Sequence, residues 1–103
     1  MALIDVIFIP SEVKFAFSLT ADGFSMDDDD FKVVIQGSKS SVTLAKADCF
    51  DDGAGNWFFA FDSAEVGQGQ PTGIFTAYVP DADFPDGFRT EVDKILLPVY
   101  IRV

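Results

Sequence analysis

Across Val13-Lys14-Phe15-Ala16-Phe17-Ser18-Leu19-Thr20, a large apolar side chain falls on every second residue, and this two-residue period narrows the fold more than any other feature. Successive side chains of a strand point to opposite faces, so the run buries one face and wets the other. The period recurs in Phe31, Val33 and Ile35, breaks at Gly37-Ser38-Lys39-Ser40 and resumes in Ser41-Val42-Thr43-Leu44-Ala45-Lys46, the pattern of a hairpin. Gly73–Pro80 reads as a further strand. Trp57-Phe58-Phe59-Ala60-Phe61-Asp62 has aromatics on both parities, which suits a strand covered on part of both faces. No segment sustains a helical period.

Turn chemistry separates these runs: Ala21-Asp22-Gly23, Asp51-Asp52-Gly53-Ala54-Gly55-Asn56 and the acidic loop Asp81 to Gly87. Ser63-Ala64-Glu65-Val66 is expected to form one helical turn, capped by Ser63 and ended by Gly67. The final stretch changes phase. Phe88, Thr90 and Val92 share one parity and Ile95, Leu97, Val99 and Ile101 the other, so a bulge near Asp93-Lys94 is expected to return both sets to one core face. About six or seven short strands with turn signals every eight to twelve residues or so predict an all-β domain spanning residues 1–103. The layout expected is an antiparallel β-sandwich of immunoglobulin-like type, with a small β-barrel as the alternative.

At 11.2 kDa, surface scaling gives about 5,700 Å² folded against about 16,000 Å² unfolded, enough burial for one core without a disulfide. Hydrophobic residues at 49% and twelve Phe exclude intrinsic disorder. Seventeen acidic against seven basic residues, a net charge of −10, repel nucleic-acid phosphates and anionic membranes, so neither is an expected partner. The chain has no His, which removes His-containing zinc sites, Ser-His-Asp triads and Cys-His pairs. No nucleophile and base pair remains to be named, and the expectation is a protein that is not an enzyme and takes no cofactor. Cys49, the one thiol, has no Lys, Arg or His beside it to lower its pKa and reads as a small apolar residue. The N-terminal Met1-Ala2-Leu3-Ile4-Asp5 lacks a basic region, and Asp5 and Pro10 interrupt its apolar stretch, so neither a signal peptide nor a membrane span is expected. Strand pattern runs to Val103, and no flexible arm is expected at either end.

Two acidic segments could concern a cation. Asp27-Asp28-Asp29-Asp30 reads as a solvated connection, because successive carboxylates in extended chain point to opposite sides. Asp81, Asp83 and Asp86 are the metal-ligand candidates, in a segment that resembles a calcium loop. Its third acid comes one residue late, behind Pro85, and Val92 stands where a bidentate Glu would be required, so the expectation is that no metal is bound. Trp57, Phe58 and Tyr78 could stack on sugar rings if they faced outward.

Two longer segments carry a family resemblance. Phe15-Ala-Phe-Ser-Leu-Thr-Ala-Asp-Gly-Phe24, leading to Phe31-Lys-Val-Val-Ile35, is similar to the opening hairpin of immunoglobulin-like modules in phage tail and baseplate proteins, the N-terminal domain of baseplate upper proteins among them. Gly73–Pro80 with Asp81–Glu91 resembles small structural proteins of phages and prophages of gut Bacteroidetes. The resemblance implies a β-sandwich used as a building block of a virion, made in the bacterial cytoplasm, with other virion structural proteins as partners and no catalytic residues to carry over.

The ends of the chain point to assembly. Leu3, Ile4, Val6, Ile7, Phe8 and Ile9 load both faces of the first strand, and Leu96, Leu97, Val99 and Ile101 nearly do so in the last. A sandwich strand has one inner face, so the other parity needs cover from a second copy or another protein. Ile7, Ile9, Leu97 and Val99 are the interface candidates. The function expected is a non-enzymatic structural or interaction module, and the alternative is a carbohydrate-binding sandwich, with calcium as an optional ligand. An exposed flat apolar strand face favours the first, and an outward Trp57 or Tyr78 beside a groove the second.

Overall fold

The computed structural model describes residues 5–103, so the expectation at Leu3 and Ile4 lies outside the described residues. In chain order the elements are β1 (Asp5–Phe8), β2 (Glu12–Phe17), β3 (Phe31–Gln36), β4 (Ser41–Ala45), a 3-10 turn (Lys46–Asp48), β5 (Phe50–Asp51), β6 (Trp57–Asp62), α1 (Ser63–Val66), β7 (Thr72–Pro80), β8 (Phe88–Leu96) and β9 (Val99–Arg102). One antiparallel sheet has the order β2-β6-β5 and the other β4-β3-β7-β8, while β1 runs parallel to β9. The chain crosses between sheets after β2, β4 and β6, as in an immunoglobulin-like sandwich. The described residues hold nine strands rather than six or seven, because β5 has only two residues and a Leu97-Pro98 step divides the last strand.

Alternation builds the core as expected. Val13, Phe59 and Phe61 from one sheet meet Val33, Ile35 and Phe75 from the other, with Val66, Leu97, Val99 and Ile101 closing one end. Phe17 sits at the centre of an aromatic cluster, with ring centroids 5.7 Å from Phe31, 5.4 Å from Phe59 and 5.7 Å from Phe75. The first two contacts are edge-on and the third is stacked, and aromatic pairs of these kinds add about 0.5–1.5 kcal/mol each beyond the area buried. On the opposite face of β6, Phe58 is covered by the Lys14 ammonium 4.7 Å from its centroid and faces Phe50 across the strand pair.

The β3–β4 hairpin closes at Gly37, whose N–H donates to the Ser40 carbonyl at 3.1 Å. Only glycine fits there, because a Cβ would stand 2.2 Å from the carbonyl oxygen of Val66 in α1. At α1 the cap differs from expectation. Asp62, not Ser63, accepts the Ala64 N–H at 2.9 Å, and the fully buried Ser63 instead accepts the Ser11 N–H at 2.8 Å. A residue 52 positions away claims the hydroxyl that the local pattern assigned to the helix.

Two further differences concern strand partners. The Asp22-Gly23 turn forms, with Gly23 at φ 81° and the Phe24 N–H donating to the Ala21 carbonyl at 3.1 Å. It leads from one sheet to the other, however, so β2 pairs with β6 and β3 with β7, and the two do not form a hairpin together. In β8 there is no bulge at Asp93-Lys94. Its register against β7 is unbroken from Pro80↔Phe88 to Thr72↔Leu96, and the Leu97 N–H continues it with a 2.9 Å bond to the Pro71 carbonyl. One parity therefore runs inward along the whole stretch: Arg89, Glu91 and Asp93 opposite Val79, Ala77 and Phe75, then Ile95, Leu97, Val99 and Ile101.

Candidate interaction surface

Because the parity of β8 never switches, Phe88, Val92 and Leu96 stay on the outer face, and Tyr100 continues the row in β9. Leu96 is 63% exposed and Val92 55%. Val6, opposite Tyr100, and Phe8, opposite Arg102, extend the apolar row onto β1. The interface candidates Ile7, Ile9, Leu97 and Val99 lie on the other parity. Leu97 and Val99 are core, and Ile7 and Ile9 are half-buried against it. The surplus of apolar residues at the two ends of the chain is thus present as surface, but Val6, Phe8, Leu96 and Tyr100 carry it.

The outer face of the four-stranded sheet is also electrostatically distinct. Register places Ser41, Thr43 and Ala45 of β4, Lys32, Val34 and Gln36 of β3, Thr72, Ile74, Thr76, Tyr78 and Pro80 of β7, and Phe88, Thr90, Val92, Lys94 and Leu96 of β8 on it. None of the 17 acidic residues is among these strand positions, and the only charges are Lys32 and Lys94. On a chain of net charge −10 another protein can approach this face without meeting carboxylates from its strands, whereas the outer face of the β2-β6-β5 sheet presents Glu12 and Asp62.

The acidic segments are tied down by their own neighbours. The Asp81 carboxylate pairs with Arg89 and accepts the Asp83 N–H at 3.0 Å, and these two contacts, the N–H first, hold its pKa below the ordinary value. Asp86 accepts the Phe88 N–H at 3.1 Å, and Asp83 is exposed. Among the described residues no three His, Cys, Asp or Glu side chains are grouped to hold a metal ion. In the Asp27–Asp30 loop, Asp27 accepts the indole N–H of Trp57 at 3.1 Å, and Lys46 Nζ donates to the Asp27 and Asp29 carbonyls at 2.9 and 2.8 Å. The ammonium also lies 5.6 Å from the Trp57 ring centroid, so this loop is clamped rather than merely solvated.

Trp57 is buried, edge-on to Phe31 at 5.3 Å between centroids, and offers no platform for a sugar. Tyr78 is half-buried within the outer sheet face. The Cys49 thiol is pushed up to about 11, mainly by burial and secondarily by Asp48, so it stays protonated at neutral pH. No helix among the described residues is long and apolar enough to cross a membrane. Comparison with protein families, with curated proteins and with solved structures finds no match to this chain. Sequence reasoning found the excess of apolar residues but not the parity that exposes it. The signal was present in Arg89, Glu91 and Asp93, whose alternation with Phe88, Thr90 and Val92 leaves no break before Ile95.

Proposed function

We propose that this protein is a non-enzymatic structural module that works by assembly, using the acid-free outer face of the β4-β3-β7-β8 sheet and its apolar row as the contact surface. The observation that supports this most is the coincidence of exposed Phe88, Val92 and Leu96 with the absence of every acidic residue from that face, in a chain with 17 of them. Repulsion over the remaining surface opposes indiscriminate association, and this carboxylate-free face sets the orientation in which copies or neighbours meet. A β-sandwich building block of a phage or prophage tail or baseplate, resident in the virion, is the setting that the sequence resemblance suggests. Buried Trp57 weighs against the carbohydrate-binding alternative.

Light scattering coupled to size exclusion tests the reading. The wild type is expected to form dimers or larger species at micromolar concentration, and Leu96→Glu or Val92→Glu to shift it to monomer with little change in melting temperature, since both residues are exposed. A wild type that remains monomeric, together with failure of these variants to change its capture of neighbouring virion proteins, contradicts it.

A further inference from the structure

The sandwich has a second surface, unlike the first. β2 is hydrogen-bonded to β6 on one side and, among the described residues, to no strand on the other. The preceding strand does not fill the place, because β1 is committed to β9, with the Ile9 N–H donating to the Arg102 carbonyl at 2.8 Å. Along this free edge, between β2 and β8, run two adjoining cavities of about 290 and 280 Å³. Phe15, Phe17, Phe59 and Phe75 supply an apolar floor, and Glu91 and Asp93 stand on the β8 rim.

The inner parity of β8 cannot close this cleft, since carboxylates do not leave water for an apolar floor without a partner. Among the described residues the Asp93 carboxylate has no hydrogen bond or ion pair, and Glu91 shares Arg89, at 3.2 Å, with Asp81. An unpaired strand edge offers backbone donors and acceptors, the alternating floor accepts every second side chain, and the acidic rim asks for a cation. We propose that the cleft receives an extended segment of a partner protein, which adds as a strand to the free edge of β2, places alternating apolar side chains inward and sets a Lys or Arg against Asp93 and Glu91. Inward-facing charges on an edge strand discourage pairing with indiscriminate β-segments, so here they act as a filter for a basic one.

The test uses the full chain and three N-acetylated, C-amidated octapeptides: alternating Val and Lys, alternating Val and Glu, and the first composition rearranged into blocks. Titration is followed by amide chemical shifts. The alternating Val-Lys peptide is expected to bind at least about tenfold more tightly than either control, with the largest shifts from Phe15 to Leu19, and Asp93→Lys is expected to remove that advantage. Equal binding of the block peptide, an unchanged preference in Asp93→Lys, or absence of binding by both the wild type and Leu96→Glu overturns the proposal. Leu96 lies outside the cleft, so the assembly-defective Leu96→Glu keeps the peptide affinity if the two surfaces are separate.

Discussion

Where α1 and β9 close the sandwich, Val66, Val99 and Ile101 have at most 1% exposure, whereas Phe15, Phe17 and Leu19 beside β8 are only half-buried. Both regions are sealed, or left open, by one row of side chains. Ile95, Leu97, Val99 and Ile101 extend the row toward the closed end, and Arg89, Glu91 and Asp93 occupy it at the open one. The fold needs only part of that row to be apolar. The remainder is free to be polar, and this chain sets carboxylates there while turning Phe88 and Val92 out to solvent.

The largest effect is expected at the closed end. Ile101→Ala removes a fully buried side chain and is expected to cost about 2–5 kcal/mol in denaturant unfolding, whereas Ile95→Ala, at 47% exposure, should cost under about 1 kcal/mol. Equal losses would mean that the two regions are equally closed in solution. Next in size is the clamp on the acidic loop. Lys46→Met keeps the aliphatic stem but removes two charge-assisted bonds to carbonyls and the contact over Trp57, with an expected loss of about 1–2 kcal/mol. Trp57 fluorescence should change with it, because the indole partner Asp27 belongs to the released loop.

At the open end the sign reverses. Asp93→Leu extends the apolar row over Phe75, relieves net charge and is expected to gain about 0.5–1 kcal/mol, read as a higher midpoint at unchanged slope. A loss of stability would mean that Asp93 already has a partner within the chain. The smallest effects are those of pH. Cys49 keeps its proton in the folded state up to about 11, while the unfolded thiol ionises near its ordinary value of 9.0. The unfolded state binds fewer protons between these values, so stability falls as pH rises through that window, and Cys49→Ala should flatten the decline. Asp81 works in the opposite direction. Its lowered pKa contributes stability above the ordinary carboxylate range that is lost as pH falls through the folded value, and Asp81→Asn should blunt that loss.

Much of the fold was legible because a two-residue period is local information. The hairpin of β3 and β4, the aromatic strand β6 and the turn at α1 all lie where Phe31–Lys46, Trp57–Asp62 and Ser63–Val66 place them. Partners are not local. Nothing near Asp22-Gly23 says that β2 joins β6 and β3 joins β7, and nothing near Ser63 says that Ser11 takes its hydroxyl. The contact surface was half legible for a similar reason. Apolar residues in β8 are normally assigned inward and charged ones outward, and only the continuous register against β7 reverses that assignment.

Methyl spectra recorded with a soluble nitroxide test the outward parity of β8 and its covering on assembly together. In dilute protein, the methyl signals of Val92 and Leu96 should be bleached while those of Leu97, Val99 and Ile101 are spared, and raising the concentration should restore Val92 and Leu96 first. Bleaching of Leu97 and Val99 with protection of Val92 in dilute protein would place a break in the strand near Asp93-Lys94, and bleaching of Leu96 that ignores concentration would remove the outer face as the contact surface of the assembly.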